Sequence, residues 1–514
     1  MKSSFKHILT PLLITLGIIG SAVLAYALFV DRAVGIVSFI NSQRFAKYYD
    51  YNPKHPVTST IDISKLPPAQ AVPILLYHGI TRKADTENTT QKNFVSQMEA
   101  LKRAGYQTIT VEQFYQFRQG KFTLPPKPII ITFDDGRKDS FYPTDRVFEK
   151  LGFNATMFVA TGPLRAGNNF YLTMDELKTV RDTGRWQIEA HGRHSHDHIL
   201  TSTDTSDMRG RFLSSKQYLV PEARLETPQE FRARIETDYQ DNIADLRDNL
   251  GVTPHYWAIP LNDYGHADFS NYPEAGSVNE SIVKKYFRLA FLQANDSEDV
   301  TRVVQPPYNF KGENPYTIRR IEVKNMSADT LLDILERFAP QPPQYSLATD
   351  GAKLVTPGEQ EGTLTITDTG SRLTASAANN IGLFVVGFQN WAGYTTRATV
   401  NRNTTQSVGT IIQYQDEKNY TVCGVSGDML YIQQLQNGVA KTLASDSRNL
   451  AIARAASLEF EVTAHSTSAV SCTINGKKLF SLIRTSFARG QTGIKIWDPQ
   501  KPADVLIERF GVSS

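Results

Sequence analysis

Two adjacent carboxylates, Asp134 and Asp135, follow an apolar run in the segment TFDDG at residues 132–136. Folding alone explains such a pair poorly, because like charges held close together repel one another. One explanation is a turn beside Gly136, since Asp is favoured in turns. The functional explanation is a division of labour, in which one carboxylate binds a metal ion and the other accepts a proton.

A second segment, HGRHSHDH at residues 191–198, contains four of the chain's ten histidines. Imidazole combined with carboxylate suits Zn²⁺ and other first-row divalent metals. Two His ligands and one Asp ligand leave coordination positions open, as a catalytic metal requires. A third segment, Tyr-His-Gly at residues 77–79, is weaker by itself and matters through its position.

Each of these three segments begins where a predicted strand ends. Fully apolar runs predict buried strands at residues 72–77, 128–133, 155–159 and 186–190. Amphipathic segments between them predict helices, so the pattern indicates a parallel sheet covered by helices, either a barrel or a doubly wound sheet. The carboxyl ends of barrel strands gather at one mouth, where the three segments would converge.

The rest of the chain divides by composition. A polar, helical stretch at residues 201–250 looks like an insertion or an extended crossover, and a proline-rich linker follows near residue 341. Residues 351–514 are rich in Thr, Ser, Val and Asn in short alternating runs, with Asn-Gly turns at residues 437–438 and 475–476. This pattern predicts an all-β sandwich.

The N-terminus carries an uncharged apolar run at residues 8–30. Such a run is long enough to cross a hydrocarbon core of about 30 Å. A cleaved signal peptide is the alternative, because residues 25–27 (Ala-Tyr-Ala) have the form of a cleavage site. The run continues past that site, which favours an uncleaved anchor in residues 1–35 and a spacer at residues 36–70. Both interpretations place the folded domains outside the cytoplasm, and the anchor places them at the cell membrane.

Composition excludes several other classes. Lys and Arg total 55 against 52 Asp and Glu, so no global field exists to hold nucleic acid. Two cysteines in 514 residues exclude a disulfide-stapled scaffold and a cysteine-rich metal site. Cys423 and Cys472 both lie in the predicted sandwich and could pair in an oxidising compartment.

Taken together, residues 71–340 resemble the NodB-type polysaccharide deacetylases, or carbohydrate esterase family four. TFDDG matches that family's first motif in full, and PILLYH at residues 73–78 resembles its opening strand. AIPLNDYG at residues 258–265 is similar to its Arg-x-Pro-Tyr-Gly segment, and IRRIEV at residues 318–323 resembles its closing strand. The resemblance implies a distorted (β/α) barrel, in agreement with the alternation of strands and helices.

By position, the resemblance implies that Asp135 binds the metal and that Asp134 is the general base. His194 and His198 have the family's usual spacing of four residues. His191 and His196, five apart, better match the surrounding sequence and the branch acting on poly-N-acetylglucosamine, so we favour them as ligands. The implied metal is Zn²⁺, with Co²⁺ or Ni²⁺ as alternatives.

Two departures from the family pattern matter. The arginine that often braces the catalytic base is Ala258 in this chain, and the usual late histidine for the general acid is missing. Proton donation would therefore fall to His78, to His194 or His198, or to Asp134 returning its proton. The family resemblance also assigns the oxyanion to the metal and to a backbone N–H near Leu261.

The sequence thus predicts metal-dependent hydrolysis of N-acetyl groups on an N-acetylhexosamine polymer outside the cytoplasm. An inactive, membrane-tethered carbohydrate-binding protein and an O-acetyl esterase are the alternatives. The C-terminal sandwich is more distantly similar to concanavalin-like, laminin-G-type jelly rolls and could bind carbohydrate. Four of its aromatic residues are either core residues or sugar-stacking residues: Trp391, Tyr394, Tyr420 and Trp497.

Overall fold

The computed structural model describes residues 49–83, 85–203, 210–265, 270–293, 308–351, 355–356, 362–367, 370–388, 390–403 and 405–514. They form two compact units, one of residues 49–293 with 311–332 and one of residues 308–310 with 333–514. The predicted membrane segment at residues 8–30 lies outside the described residues. Within them, no helix is both long enough and apolar enough to span a bilayer.

The helices of the described residues have the following bounds: α1 Gln91–Arg103, α2 Val111–Arg118, α3 Lys138–Phe141, α4 Asp145–Leu151, α5 Thr161–Arg165, α6 Met174–Asp182, α7 Pro228–Leu250, α8 Ala275–Tyr286, α9 Ala328–Arg337, α10 Leu347–Asp350 and α11 Leu450–Ala453. Two short 3₁₀ helices lie at Ile63–Lys65 and Pro260–Asn262.

The strands up to residue 322 have these bounds: β1 Ala71–Tyr77, β2 Ile80–Thr81, β3 Thr89–Thr90, β4 Gln107–Thr108, β5 Pro128–Phe133, β6 Ala155–Val159, β7 Trp186–Ala190, β8 His198–Ile199, β9 Gly210–Arg211, β10 Tyr218–Leu219, β11 Arg224–Leu225, β12 Tyr256–Ala258, β13 Leu289–Phe291, β14 Tyr308–Phe310 and β15 Ile321–Glu322. The four apolar runs predicted as strands are confirmed as β1, β5, β6 and β7.

The first unit is built on a parallel sheet in the order β13-β12-β7-β6-β5-β1. One segment contacts strands from opposite parts of this sheet. Ile318 bridges to Phe291 in β13, and β15 pairs with β1 a few residues later. The chain around residues 318–322 therefore contacts both β13 and β1, in agreement with the predicted barrel-like architecture.

Both faces of the parallel sheet are buried. Alternate residues point to opposite sides of a strand, so neighbours in β12 and β13 enter different cores. Ala258 and Phe291 pack in a cluster with Ile74, Ile130 and Phe158, which we call the inner cluster. Their neighbours Trp257 and Ala290 pack in a second cluster with residues of α7 and α8, which we call the outer cluster.

Helix α7 is the long helix predicted in the polar stretch, and it connects β7 to β12 as a crossover. Its start is fixed by a capping box, in which the Thr227 hydroxyl accepts from the Glu230 N–H and the Glu230 carboxylate accepts from the Thr227 N–H. Pro228 occupies the first helical turn, where its missing N–H costs nothing. Gly251, in a left-handed conformation, ends the helix.

The second unit consists of two antiparallel sheets, as predicted. One has the order β18-β19-β30-β21-β26-β27-β28, with β16 paired to β30, and the other has the order β17-β20-β29-β22-β23-β24-β25. The bounds are β16 Tyr345–Ser346, β17 Val355–Thr356, β18 Gly362–Thr367, β19 Gly370–Ala378, β20 Ile381–Val386, β21 Tyr394–Asn401, β22 Ser407–Asp416, β23 Asn419–Ser426, β24 Met429–Gln436, β25 Val439–Asp446, β26 Ser457–His465, β27 Ala469–Ile474, β28 Lys477–Arg484, β29 Gln491–Trp497 and β30 Pro502–Ser513.

The two sheets face each other across a shared core. The rings of Phe384 in β20 and Phe510 in β30 meet edge to face, with centroids 5.0 Å apart. A disulfide between Cys423 in β23 and Cys472 in β27 links the sheets covalently. The sequence left open whether these two cysteines pair, and in the structure they do.

The aromatic residues considered for sugar stacking mostly belong to this core. Trp391, Tyr394 and Tyr420 are buried, and the Tyr394 hydroxyl donates to the Gly490 carbonyl oxygen 2.9 Å away. Trp497 is half-buried. The Tyr420 hydroxyl accepts a hydrogen bond from Nζ of Lys495 (2.8 Å), and burial lowers the pKa of that lysine to about 8.

Candidate active site

The carboxyl end of β5 presents the two adjacent carboxylates in different surroundings. Asp134 is buried, and its backbone N–H donates to the Tyr77 carbonyl oxygen of the neighbouring strand β1. Asp135 adopts a left-handed backbone conformation with φ 76°, and Gly136 follows with φ 78°. Left-handed backbone is costly for a residue with a side chain, and such strain concentrates at functional sites.

The structure brings Asp135, His191 and His196 together. Asp135 Oδ1 lies 3.5 Å from Nε2 of His191 and 3.4 Å from Nε2 of His196. The potential ligand atoms of all three side chains lie within 4.8 Å of one another. His191 Nδ1 lies 2.8 Å from the Ala258 carbonyl oxygen, which favours a proton on Nδ1 and turns the Nε2 lone pair towards the carboxylates.

These three side chains fit a first-row divalent metal. Bonds of about 2.0–2.2 Å in a tetrahedral arrangement place ligand atoms about 3.3–3.6 Å apart. The two measured separations fall in that range, and one carboxylate with two imidazoles is a donor set typical of zinc. Among the described residues this is the one such cluster of His, Cys, Asp and Glu.

The alternative histidine pair lies outside this cluster. The His194 imidazole is half-exposed and lies 3.0 Å from Asp197. His198 is exposed in the short strand β8. The ligand roles themselves remain a prediction.

Asp134 is held by an arginine that the sequence analysis did not identify. Nη1 and Nη2 of the Arg320 guanidinium lie 2.7 Å from Oδ1 and Oδ2 of Asp134, respectively, and Arg320 is fully buried. Its Nε donates to the Leu292 carbonyl oxygen. The side chain thus supplies the brace that Ala258 lacks, from the segment that contacts both β13 and β1. The sequence analysis treated Arg320 only as part of the predicted closing strand at residues 318–323, whereas β15 begins one residue later, at Ile321.

The charges around the pair keep both carboxylates ionised. Burial alone would raise the pKa of Asp134, but the Arg320 guanidinium and the His191 imidazole outweigh it and lower that pKa. Burial is likewise outweighed at Asp135, where hydrogen bonding with His191 and His196 holds the pKa well below its usual range. The same carboxylates raise the pKa of His191 against the effect of burial.

Helix α7 fixes the loop that carries both histidines. Asp238 accepts hydrogen bonds from the backbone N–H groups of Arg193 and His194 and from the Ser195 hydroxyl. One turn later, Asn242 accepts from the Gly192 N–H (3.2 Å) and donates to the Gly192 carbonyl oxygen (3.0 Å). The polar helix predicted as an insertion or crossover therefore positions the histidine loop.

Gly192 is required within this loop. Its φ of 81° is left-handed, and an added Cβ would lie 2.3 Å from Ser195 Oγ and 3.0 Å from the Asp238 carboxylate. A larger residue would therefore push the loop away from the helix.

His78 follows β1, and the charge of its imidazole contributes to lowering the pKa of both Asp134 and Asp135. Its Nδ1 lies 3.7 Å from the Glu322 carboxylate and has no hydrogen-bond partner. The catalytic role of His78 stays a prediction. Glu322, from β15, is a neighbour that the sequence analysis missed.

Leu261, predicted to lie beside the oxyanion, follows β12 in the short 3₁₀ turn. It has a left-handed φ of 54°, and 39% of it is exposed although it is apolar. The Arg211 guanidinium donates to its carbonyl oxygen at 3.1 Å. Strained backbone of this kind concentrates at functional sites, and the role of Leu261 beside the oxyanion stays a prediction.

Comparison with known proteins agrees with this geometry. Residues 121–272 match the family model described as polysaccharide deacetylase. This stretch of the first unit, which contains both aspartates and both favoured histidines, is therefore similar to polysaccharide deacetylases.

Curated relatives and a solved structure are similar to parts of this chain. The chain is 28% identical over 184 residues to the poly-beta-1,6-N-acetyl-D-glucosamine N-deacetylase of Escherichia coli strain K12, covering 33% of this chain and 26% of that protein. It is 28% identical over 139 residues to the protein of the same name from Staphylococcus aureus strain MSSA476, covering 26% of this chain and 46% of that protein. A de-N-acetylase structure from Aggregatibacter actinomycetemcomitans matches 52% of this chain and all of that one, with 17% identity and a TM-score of 0.42. The chain spans less than half the length of both curated relatives.

Proposed function

We propose that the protein is a metal-dependent hydrolase that removes N-acetyl groups from an N-acetylhexosamine polymer. The observation that carries this proposal is the convergence of Asp135, His191 and His196 beside an unligated Asp134 that Arg320 keeps ionised. A divalent ion held there, most simply Zn²⁺ with Co²⁺ or Ni²⁺ as alternatives, would supply Lewis-acid activation of the acetyl carbonyl and of water.

Asp134 acts in this proposal as the general base. It is ionised, buried and held at both oxygens, so it is available to accept the proton of the attacking water as the carbon–oxygen bond forms. Arg320 prevents the carboxylate from rotating and stabilises its charge. A carboxylate without such a cation would tend to be protonated in this buried position.

The leaving amine needs a proton when the carbon–nitrogen bond breaks. His78 is the proposed donor, because it directly follows β1 beside the segment of the two aspartates and its Nδ1 lies 3.7 Å from the Glu322 carboxylate, which can orient the imidazole. The backbone N–H of Leu261 is the proposed donor to the negatively charged oxygen that develops at the attacked carbonyl. Products would be acetate and a free amine on the polymer.

The proposed substrate is β-1,6-linked N-acetylglucosamine, because curated relatives over part of this chain are named for that polymer. Acetate release from oligomers of this sugar tests the function. Chelator-treated protein reloaded with Zn²⁺, Co²⁺ or Ni²⁺ should release acetate, whereas chelated protein should not.

Asp134→Asn should lower the rate about 10²–10⁴-fold, the usual contribution of a general base. Asp175→Asn, on the exposed first turn of α6, is the matched control and should leave the rate unchanged. An unchanged rate in Asp134→Asn would contradict the proposal. Activity on acetate esters alone would favour the O-acetyl esterase, and binding without release would favour the carbohydrate-binding protein.

We propose that the folded units lie outside the cytoplasm, attached to the membrane through residues 8–30. Two features support this location: the apolar N-terminal run of the sequence and the Cys423–Cys472 disulfide, a bond that persists in oxidising compartments. Cell fractionation combined with a membrane-impermeant protease tests it. Recovery of the full chain in the soluble cytoplasm with free thiols would overturn it.

A further inference from the structure

A cleft of about 510 Å³ lies in the first unit, between the C-terminal end of α2, the junction of α8 with β13, and residues 311–316. Leu289, which lines it, is the first residue of β13, whereas Asp134 and His191 follow the last residues of β5 and β7. These strands belong to one parallel sheet. The cleft and the candidate active site therefore lie at opposite ends of that sheet.

Positive charge dominates the lining of this cleft. Its described lining residues include four cations and one carboxylate: Arg118, Lys284, Arg288, Lys311 and Glu313. The carboxylate does not neutralise the cations, because Glu313 Oε1 already lies 2.7 Å from Nη2 of Arg319. Like charges held close together repel one another, so such a cluster favours an anion between its members.

The carboxylates beside these cations leave a positive surplus. Lys284 Nζ lies 2.6 Å from Glu280 one helical turn earlier, but water screens an exposed pair of this kind. The Glu112 carboxylate lies 3.5 Å from the Arg288 guanidinium and already accepts two other hydrogen bonds. With Arg319 included, this cluster has five cations and three carboxylates, which leaves two positive charges.

Aromatic rings hold two of the cations without neutralising them. The Arg288 guanidinium carbon lies 5.3 Å from the ring centroid of Tyr115, and Lys284 Nζ lies 5.6 Å from the ring centroid of Tyr316. A ring attracts a cation through its π electrons and carries no net charge. Both cations therefore keep N–H groups and charge available to a ligand.

The other two cations contact the backbone or lie close to it. Arg118 donates to the carbonyl oxygen of Glu313. Lys311 reaches the turn after α2, where a Cβ added at Gly120 would lie 2.7 Å from its Nζ. Burial lowers the pKa of Arg118, and the charge of Arg319 adds to this effect. An anion in the cleft would stabilise the charge of Arg118.

The cleft has the chemistry of a phosphate site. Guanidinium groups bind phosphate through paired N–H donors, and lysine adds a point charge. A phosphate monoester carries about 1.5–2 negative charges at pH 7, close to the surplus of two, whereas a carboxylate or a phosphate diester carries one. The volume of about 510 Å³ falls within the ~300–1,000 Å³ of small-molecule sites, so the organic group that carries the phosphate also has room.

We propose that this cleft binds the phosphate monoester group of a small organic molecule. Arg118, Lys284, Arg288 and Lys311 would supply the charge and the N–H donors, and the rings of Tyr115 and Tyr316 would flank the ligand. The proposal does not rest on the proposed function, because neither Asp134 nor the three proposed metal ligands are among the described lining residues of the cleft.

Calorimetric titration of the full chain with glucose 6-phosphate, at pH 7 and low ionic strength, tests the proposal. Arg288→Gln and Lys311→Gln each remove one cation and should weaken binding about tenfold. Lys285→Gln, on the same helix as Lys284 but paired with Glu236 outside the cleft, is the matched control and should bind as the natural chain does. Circular dichroism checks the fold of each variant, and Lys311 is exposed, so its replacement should leave the fold unchanged.

The choice of ligand gives a second test. Glucose should not bind, and glycerophosphoglycerol, a diester with a single charge, should bind about tenfold more weakly than the monoester. Equal binding of the diester would contradict the proposal.

Asp135→Asn separates this cleft from the candidate active site, since phosphate can also coordinate a metal ion. The variant should impair the metal centre and retain binding of glucose 6-phosphate. No detectable binding by the natural chain would overturn the proposal, as would binding that Asp135→Asn abolishes while Arg288→Gln and Lys311→Gln leave it unchanged. Acetate release is a different readout, so the proposed function can fail while this binding persists, and the reverse.

Discussion

Arg320 in the first unit and Lys495 in the second are both largely removed from solvent, and they differ in what faces them. The guanidinium of Arg320 meets both oxygens of Asp134, whereas Lys495 Nζ meets a phenol, the hydroxyl of Tyr420. Burial lowers the pKa of Lys495 to about 8, while Asp134 keeps a lowered pKa in spite of burial. Paired charges in a protein interior are retained, and an unpaired charge moves towards neutrality.

The same contrast separates the two units more widely. In the first unit, buried polar side chains hold residues of the candidate site in place, as Asp238 does for the histidine loop. In the second, Asp498 is equally buried and accepts backbone N–H bonds from Gln406 and Gln500, but it fixes a loop with no reactive group. Matched substitutions in the two units should therefore have different readouts.

The largest difference between the two units is expected when a histidine of each is replaced by alanine. His196→Ala should remove a metal ligand and lower acetate release at least 10³-fold, with loss of bound metal by elemental analysis. His465→Ala in β26, where the imidazole contacts the Ser471 hydroxyl, should leave both unchanged. Within the loop, His198→Ala should also keep its metal. Metal loss in His198→Ala but not in His196→Ala would reverse the choice of ligands.

The next largest effect is expected at the buried cations. Replacing Arg320 should lower the stability of the first unit, whereas replacing Lys495 should raise the stability of the second. Arg320→Met leaves a buried carboxylate unpaired, which typically costs about 3–5 kcal/mol. The pKa of Asp134 should rise, so the acid limb of the pH–rate profile should move to higher pH and the rate at pH 7 should fall about 10–10²-fold. Arg319→Met, next to it in the chain, removes an arginine paired with Glu313 instead and should leave the pH profile unchanged. An unshifted acid limb in Arg320→Met would show that the brace does not control the base.

A smaller effect is expected at the loop-fixing carboxylates. Asp238→Asn weakens three hydrogen bonds to the histidine loop and should lower metal affinity about 10–100-fold, the range found for groups that orient metal ligands. Asp498→Asn should lower the melting temperature of the second unit without changing metal affinity. Competition with a chelating dye measures the affinity. Equal affinities in the two variants would mean that α7 does not position the ligands.

The smallest effect is the pH dependence contributed by Lys495. Its folded pKa, about 8, lies below the unfolded value of about 10.4, so between these pH values the unfolded chain binds more protons. Stability should therefore rise as pH increases through this window, by about 1–2 kcal/mol after allowance for partial exposure. Lys495→Met should abolish this rise and stabilise the unit at pH 7. Denaturant unfolding at pH 7 and pH 10 measures both, and an identical pH slope in the variant would contradict this account.

Local sequence predicted much of the fold and most of the candidate site. The apolar runs fixed β1, β5, β6 and β7, and the acid pair and the histidine segment are short motifs whose spacing already carries chemistry. The Asn-Gly turns and alternating runs likewise predicted the antiparallel second unit. These features succeed because each depends on neighbours within a few residues.

The groups that support the site could not be predicted in the same way. Arg320 lies 186 residues after Asp134, and Asp238 lies 43 residues after Ser195. Nothing in the local pattern of IRRIEV separates a structural arginine from a bracing one. Asp238 reads as an ordinary polar position of a long helix. Such contacts arise only from the tertiary fold, which brings distant segments of the chain to the same end of the parallel sheet.

The place of Arg320 in the chain has a consequence for biosynthesis. A ribosome has already made both aspartates and every proposed metal ligand by residue 196, yet the guanidinium that pairs with Asp134 comes more than a hundred residues later, in the segment that contacts both β13 and β1. A nascent protein shorter than this lacks the countercharge of Asp134. The pairing of β15 with β1 and the neutralisation of the buried carboxylate therefore both wait for the same late part of the first unit.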